Sequence, residues 1–63
     1  MRWQVRKARR LEARARSHIR DAAVADQLAG ETGRADLSRA AAVWRGLAAQ
    51  DAEVAAKLRN LCA

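Results

Sequence analysis

Proline, phenylalanine and tyrosine are absent from this sequence, and its 63 residues include three glycines, one histidine and one cysteine. Without proline, the chain has few points at which a helix must stop. The single cysteine, Cys62, cannot form an internal disulfide, so we expect a reducing compartment and a cytoplasmic protein. The longest apolar run has five residues, Ala40 to Trp44, so we expect neither a membrane span nor a secretory signal.

The same scarcity leaves little for catalysis or metal binding. His18 and Cys62 are accompanied by no carboxylate pair, no metal-ligand spacing and no phosphate-binding glycine loop. A chain of 63 residues also has little room for an enclosed active site. We therefore expect a non-enzymatic protein that uses neither a metal nor a cofactor.

Charges of both signs are present, but they are unevenly distributed. Residues 1–20 hold eight basic residues and one acid, a net charge of +7, whereas residues 21–63 hold five basic residues and six acids, a net charge of −1. Such asymmetry is typical of a segment that binds a polyanion or an acidic partner. The candidate nucleic-acid-binding residues are the basic side chains of this segment and the tryptophan among them: Arg2, Trp3, Arg6, Lys7, Arg9, Arg10, Arg14, Arg16 and Arg20.

A helix with closely spaced guanidiniums can contact several phosphates at once, and Trp3 can stack on a base. In composition the segment resembles the short arginine-rich helices that bind RNA hairpins, although it shares no defining motif with them. We therefore predict a small regulatory protein that presents a basic helix to RNA or DNA.

Three other interpretations of this segment stay open. In the first, it is a solvated face in which Glu12 pairs with Arg9 and Arg16 at helical spacing. In the second, the protein is an adaptor or inhibitor of the phage or plasmid type, and its basic helix docks on an acidic protein surface. In the third and weakest, the helix lies on an anionic membrane, where its alanine-rich apolar face would give little insertion energy.

The segment Gly30-Glu-Thr-Gly33 is the clear break in the pattern. Glycine tolerates the left-handed cap that ends a helix, and alanine, leucine and arginine favour helix on both sides of it. The sequence therefore predicts an all-α protein, a single domain over residues 1–63, folded as an antiparallel two-helix hairpin. We expect helices over residues 3–29 and 35–61 and a turn at residues 30–34. A third short helix after residue 50, over residues 52–61, is the alternative.

Both predicted helices carry an apolar seam at steps of three and four residues. In the second helix the seam contains one acid and runs through Leu37, Ala40, Trp44, Leu47, Asp51, Val54, Leu58 and Leu61. In the first helix it is weaker and rich in alanine, which permits a close helix approach: Ala8, Leu11, Ala15, Ile19, Ala22 and Ala29. We expect His18 beside the first seam and Trp44 as an anchor of the core.

Self-association is expected, because two alanine-rich helices bury too little apolar surface to offset the backbone entropy lost on folding. Val24 and Leu28 also lie off the first seam, which indicates a second packing surface. We predict a dimer in which two hairpins form a four-helix bundle. The predicted oligomer interface consists of Val24, Leu28, Leu37, Trp44, Leu47, Val54, Leu58 and Leu61.

Two acids at the predicted seams, Asp26 and Asp51, need cations beside them. Folding the hairpin about residues 32 and 33 places each position i roughly opposite position 65 − i, by the antiparallel geometry of two helices. Asp26 is then expected to face Arg39, and Asp51 to face Arg14.

Overall fold

The computed structural model of the protein describes residues 2–61. They form two α-helices, α1 (Trp3–Thr32) and α2 (Ala35–Leu61), which pack against each other as an antiparallel hairpin. The hairpin is a rod with extents of 46 × 14 × 11 Å. The predicted all-α hairpin is confirmed. In the described part of the chain α2 is continuous through Gly46 and Asp51, so the short third helix is not found.

The turn between the helices lies at the second glycine of the predicted break. Gly33 has a φ of 70°, and its N–H donates to the carbonyl oxygen of Ala29 at 2.8 Å, which ends α1. Only glycine adopts this left-handed conformation without strain. The hydroxyl of Thr32 donates to the carbonyl of Leu28 at 2.6 Å and holds the last turn. Helix α1 therefore continues through Gly30 and ends three residues later than predicted.

The interface between the helices is built mostly from alanine. The buried hydrophobic residues of the described chain are Ala8, Leu11, Ala22, Ala41, Ala48 and Ala55. On α1 the buried and half-buried positions include a series at steps of three and four: Ala8, Leu11, Ala15, His18, Ala22, Ala25 and Ala29. On α2 they do the same: Leu37, Ala41, Trp44, Ala48, Asp51, Ala55 and Leu58. Small side chains on both sides let the two backbones approach closely, which increases dispersion contacts.

The seam of α2 differs from the predicted one at alternate positions. Ala41, Ala48 and Ala55 face α1, whereas the sequence pattern favoured the residue one position earlier in each case. Neighbouring residues are about 100° apart around a helix, and the two seams share Leu37, Trp44, Asp51 and Leu58, so the inward face of α2 is turned by less than this angle. Leucine or valine at these positions would hold the two backbones apart, so the structure buries alanine against alanine and turns the larger side chains outward.

Four of the larger apolar side chains of α2 remain exposed to solvent, whereas Leu37, Trp44 and Leu58 are half-buried against α1. The four exposed side chains recur at helical spacing along one edge of the helix, and their exposed fractions run from 38% to 71%. We call this edge the outer stripe; it consists of Val43, Leu47, Val54 and Leu61.

Neither helix within residues 2–61 is both long and apolar enough to cross a bilayer. The cytoplasmic location stays a prediction.

Candidate nucleic-acid interface

A line of arginines runs along the face of α1 that points away from α2. Its members recur at steps of three, four or seven residues, so they share one side of the helix opposite the buried residues Ala8 and Leu11. We call this set the outer arginine line; it consists of Arg2, Arg6, Arg9, Arg16 and Arg20, all of them exposed. From Arg2 to Arg20 it covers about 27 Å at 1.5 Å per residue.

The acids near this segment are held by arginines across the hairpin. The carboxylate of Glu12 accepts two hydrogen bonds from Arg59, at 2.7 and 2.6 Å. These hydrogen bonds lower the pKa of Glu12 against a smaller opposing effect of desolvation, and the nearby charges of Arg59, Arg16 and Arg9 lower it further. Arg59 on α2 is thus a partner of Glu12 that the sequence interpretation did not name, and the charges of Arg9 and Arg16 act on the same carboxylate, as their helical spacing from Glu12 indicates.

Asp51 is the buried acid of the seam, with 7% of its surface exposed. Arg14 donates two hydrogen bonds to it, from Nε at 2.9 Å and from a terminal nitrogen at 2.8 Å. These hydrogen bonds are the main reason that the pKa of Asp51 lies below its ordinary value; burial opposes them, and the charges of Arg14, His18 and Lys7 assist. The predicted pairing of Asp51 with Arg14 is confirmed.

His18 lies next to the Asp51–Arg14 pair. We expected it beside the seam of α1, and in the structure it lies within that seam. Its ring stacks on Trp44 with centroids 5.2 Å apart and an interplanar angle of 25°. Its Nε2 lies 3.5 Å from a carboxylate oxygen of Asp51, and its Nδ1 is buried without a hydrogen-bond partner among the described residues. The sequence feature that could have placed His18 in the seam is its spacing of seven residues from Leu11, because residues seven apart lie on one face of a helix.

The predicted partner of Asp26 was wrong. Asp26 pairs with Arg45, not with Arg39. The pairing rule compares backbone positions, but an arginine side chain reaches several residues along its own helix. In both Asp26–Arg45 and Glu12–Arg59 the arginine lies six residues further along α2 than the position that the pairing rule places opposite the acid, so both arginines span the hairpin diagonally.

The acids of the hairpin therefore leave much of the outer arginine line uncompensated. Among residues 2–61, the side chains of Arg2, Arg6 and Arg20 form no ion pair, and neither does the side chain of the exposed Arg10. Of the predicted nucleic-acid-binding residues, Arg14 binds the buried Asp51 of the seam, although 60% of its side chain stays exposed. Trp3, at the start of α1, is 60% exposed.

The predicted oligomer interface divides into two groups in the structure. Leu37, Trp44 and Leu58 are half-buried and face α1 within the hairpin. The other five are exposed to solvent: Val24, Leu28, Leu47, Val54 and Leu61.

The fold and this surface define a class, a two-helix hairpin with one arginine-rich outer face. Comparison of the chain with protein-family models, with curated proteins and with solved structures finds no match. Within residues 2–61 no group of three or more histidine, cysteine, aspartate or glutamate side chains is arranged to hold a metal ion; Cys62 lies outside the described residues. What the protein does is therefore inferred from its own geometry and charge.

Proposed function

We propose that the protein is a non-enzymatic nucleic-acid-binding protein that contacts the phosphates of RNA or DNA through the outer arginine line of α1 and the neighbouring exposed Arg10. The observation that carries this proposal is the absence of ion pairs at Arg2, Arg6, Arg10 and Arg20 in the described chain, although seven acids are present in the sequence. Exposed and unpaired guanidiniums are free to form bidentate hydrogen bonds with phosphate and to release its counterions.

The hairpin suits this function mechanically. Helix α2 packs on the opposite side of α1, so it supports the basic helix without covering the outer arginine line. A supported helix loses less conformational entropy on binding than a free arginine-rich peptide, which must fold when it binds. Trp3 lies beside the start of the line and can stack on an unpaired base.

The test is a fluorescence titration of the whole chain with short RNA, single-stranded DNA and duplex DNA at several salt concentrations. Arg6→Ala and Arg10→Ala are each expected to reduce the slope of log affinity against log salt by roughly 0.7 to 0.9. Arg39→Ala is the matched control, since it removes an exposed arginine from α2 and should leave the slope nearly unchanged. If none of the three nucleic acids binds at low salt, the outer arginine line is better assigned to an acidic protein surface.

Trp3→Ala separates stacking from charge. We expect it to weaken binding to single strands by about 1 to 3 kcal/mol without a change in the salt slope, because stacking releases no counterions. An equal loss for single strands and duplex DNA would contradict a stacking role for Trp3.

We also propose that two hairpins associate through the outer stripe to form a four-helix bundle. The chain exposes 4530 Å², against about 4000 Å² expected for a compact monomer of this mass. Val43, Leu47, Val54 and Leu61 supply apolar surface at helical spacing that α1 does not cover. Since the stripe lies on α2, a dimer formed through it would keep the two outer arginine lines apart and accessible.

Sedimentation at micromolar concentration tests this association. Leu47→Asp and Val54→Asp should each convert a dimer into a monomer, because they place a charge in an apolar contact. Ala42→Asp is the matched control, since Ala42 is exposed on α2 outside the outer stripe. A compact monomer of the unchanged chain that melts cooperatively would contradict the bundle.

A further inference from the structure

The edge of the hairpin away from the outer stripe carries an apolar groove between α1 and α2. Its floor is made of short apolar side chains and one isoleucine, and its rim is made of guanidiniums. The floor consists of Ala15, Ile19, Ala48, Ala49 and Ala52, and the rim of Arg16, Arg20 and Arg45. We call it the arginine-edged groove. Both helices contribute to it, so the sequence pattern of neither helix alone indicates it.

Two ion pairs bound this groove along the rod. Glu12–Arg59 lies at one end and Asp26–Arg45 at the other. Between them, the residues that line the groove cover positions 15–20 of α1 and 45–52 of α2, about 8 and 11 Å at 1.5 Å per residue, which is about two turns of a helix. The alanine floor lets a third helix approach both backbones closely, as ridges of one helix pack into the groove between two others.

The charge of the rim determines which kind of helix can bind in the arginine-edged groove. Arg45 is already paired with Asp26, whereas Arg16 and Arg20 project from the rim without an ion pair among the described residues. A second copy of this chain, seated by the same groove, would bring like arginines together, which is unfavourable. Nucleic acid gains nothing from the floor, because bases stack on aromatic rings and not on alanine.

We propose that the arginine-edged groove binds an acidic amphipathic helix of a partner protein. Its apolar face rests on Ile19 and the alanine floor, and its carboxylates bind Arg16 and Arg20. These two arginines also belong to the outer arginine line. A helix in the groove therefore masks one end of that line, and binding of the partner and binding of nucleic acid oppose each other.

The test uses a labelled synthetic peptide of about 16 residues, with leucines at helical spacing on one face and glutamates on both flanks. Two control peptides carry lysine in place of glutamate, or the same composition in scrambled order. Fluorescence anisotropy with the whole chain should show binding of the first peptide, weaker binding of the scrambled peptide and none of the lysine peptide.

Variants of the chain then locate the site. Ile19→Ala and Ala49→Glu should each weaken peptide binding by about tenfold or more, because the first removes the largest apolar contact and the second adds a repelling charge to the floor. Ala35→Glu is the matched control for Ala49→Glu, since both alanines are exposed on α2 but Ala35 lies outside the groove. Circular dichroism melts confirm that the variants fold.

Three results would overturn this inference. One is equal binding of all three peptides, or none at all by the glutamate peptide. Another is a change in the oligomeric state of Ile19→Ala and Ala49→Glu, measured by sedimentation, which would show that a second copy of the chain occupies the groove. The third is a loss of nucleic-acid affinity in Ile19→Ala without a loss of peptide affinity. Because Ile19→Ala removes no charge, it should leave the salt dependence of nucleic-acid binding unchanged, so failure of this inference is distinguishable from failure of the proposed function.

Discussion

The two sides of α1 carry the same residue type in different electrostatic surroundings. Beside the seam, Arg14 is held by the buried carboxylate of Asp51 through two hydrogen bonds. On the outer face, Arg6 and Arg20 are exposed and form no ion pair within residues 2–61. All three belong to one basic run of the sequence. An arginine of this run is held in the fold where an acid of α2 lies beside it, and is exposed without an ion pair where none does. We call these the paired side and the unpaired side of α1.

The largest effect is expected when the paired side is broken. Arg14→Ala leaves the buried Asp51 without its main donor, and an uncompensated buried charge is strongly destabilising. We expect the melting temperature to fall by at least about 4 °C. Arg10→Ala, which removes an exposed arginine of α1 without an ion pair, should change it little.

Asp51→Leu completes this comparison. It removes the acid itself and replaces it with apolar volume, so it should leave the melting temperature unchanged or raise it. Equal and negligible effects of Arg14→Ala and Asp51→Leu in circular dichroism melts would show that the pair contributes nothing to the seam.

The paired side should also make the hairpin sensitive to acid. The folded protein holds the pKa of Asp51 below 3.8 and that of Glu12 below 4.5, their ordinary values. Lowered carboxyl pKa values stabilise the fold at neutral pH, and this stability is lost as pH falls from about 4.5 through the folded pKa values. The free energy of unfolding in urea, measured across this range, should decline, and Asp51→Asn should show a shallower decline. A flat profile in the unchanged chain would contradict the lowered pKa values.

A smaller effect is expected when an acid is placed beside the exposed arginines of α1. Ala13 is exposed beside the outer arginine line, three residues after Arg10 and three before Arg16. Ala13→Glu places an acid at helical spacing from both. The salt slope of nucleic-acid binding should fall by roughly 0.7 to 0.9 for each arginine that the new carboxylate occupies. Ala13→Gln keeps the shape without the charge, and an equal loss in that variant would show that charge pairing is not the cause.

The smallest effect on stability and binding is expected from a substitution that contacts neither Arg14 nor the exposed arginines of α1. Gly46 lies inside α2, is exposed, and has open space where a Cβ would be placed. Gly46→Ala should stabilise the hairpin by about 0.5 to 1 kcal/mol through backbone entropy, while nucleic-acid affinity stays the same. Gly33→Ala should destabilise it, since Gly33 has a φ of 70°. A change of nucleic-acid affinity in Gly46→Ala would show that affinity depends on the stability of the hairpin and not only on the exposed arginines.

Several features could be predicted from the sequence because they depend on local propensity. The two helices, the turn near Gly33 and the excess charge of residues 1–20 follow from composition and spacing along the chain. The partner of Asp51 also followed, since Arg14 lies directly across the hairpin. The partner of Asp26 did not, because the reach of the Arg45 side chain is not encoded in residue spacing.

The sequence by itself determined that this chain is helical, that it turns once and that one end is basic. Tertiary structure decided which face of each helix is inside. Leu47 and Ala48 both suit an apolar seam by spacing, and only the close approach of two backbones selects the alanine. That same choice turns the larger apolar side chains outward, holds Arg14 at the seam and leaves Arg6 exposed. Packing volume and the pairing of buried charge are properties of two helices together, so neither helix could specify them alone.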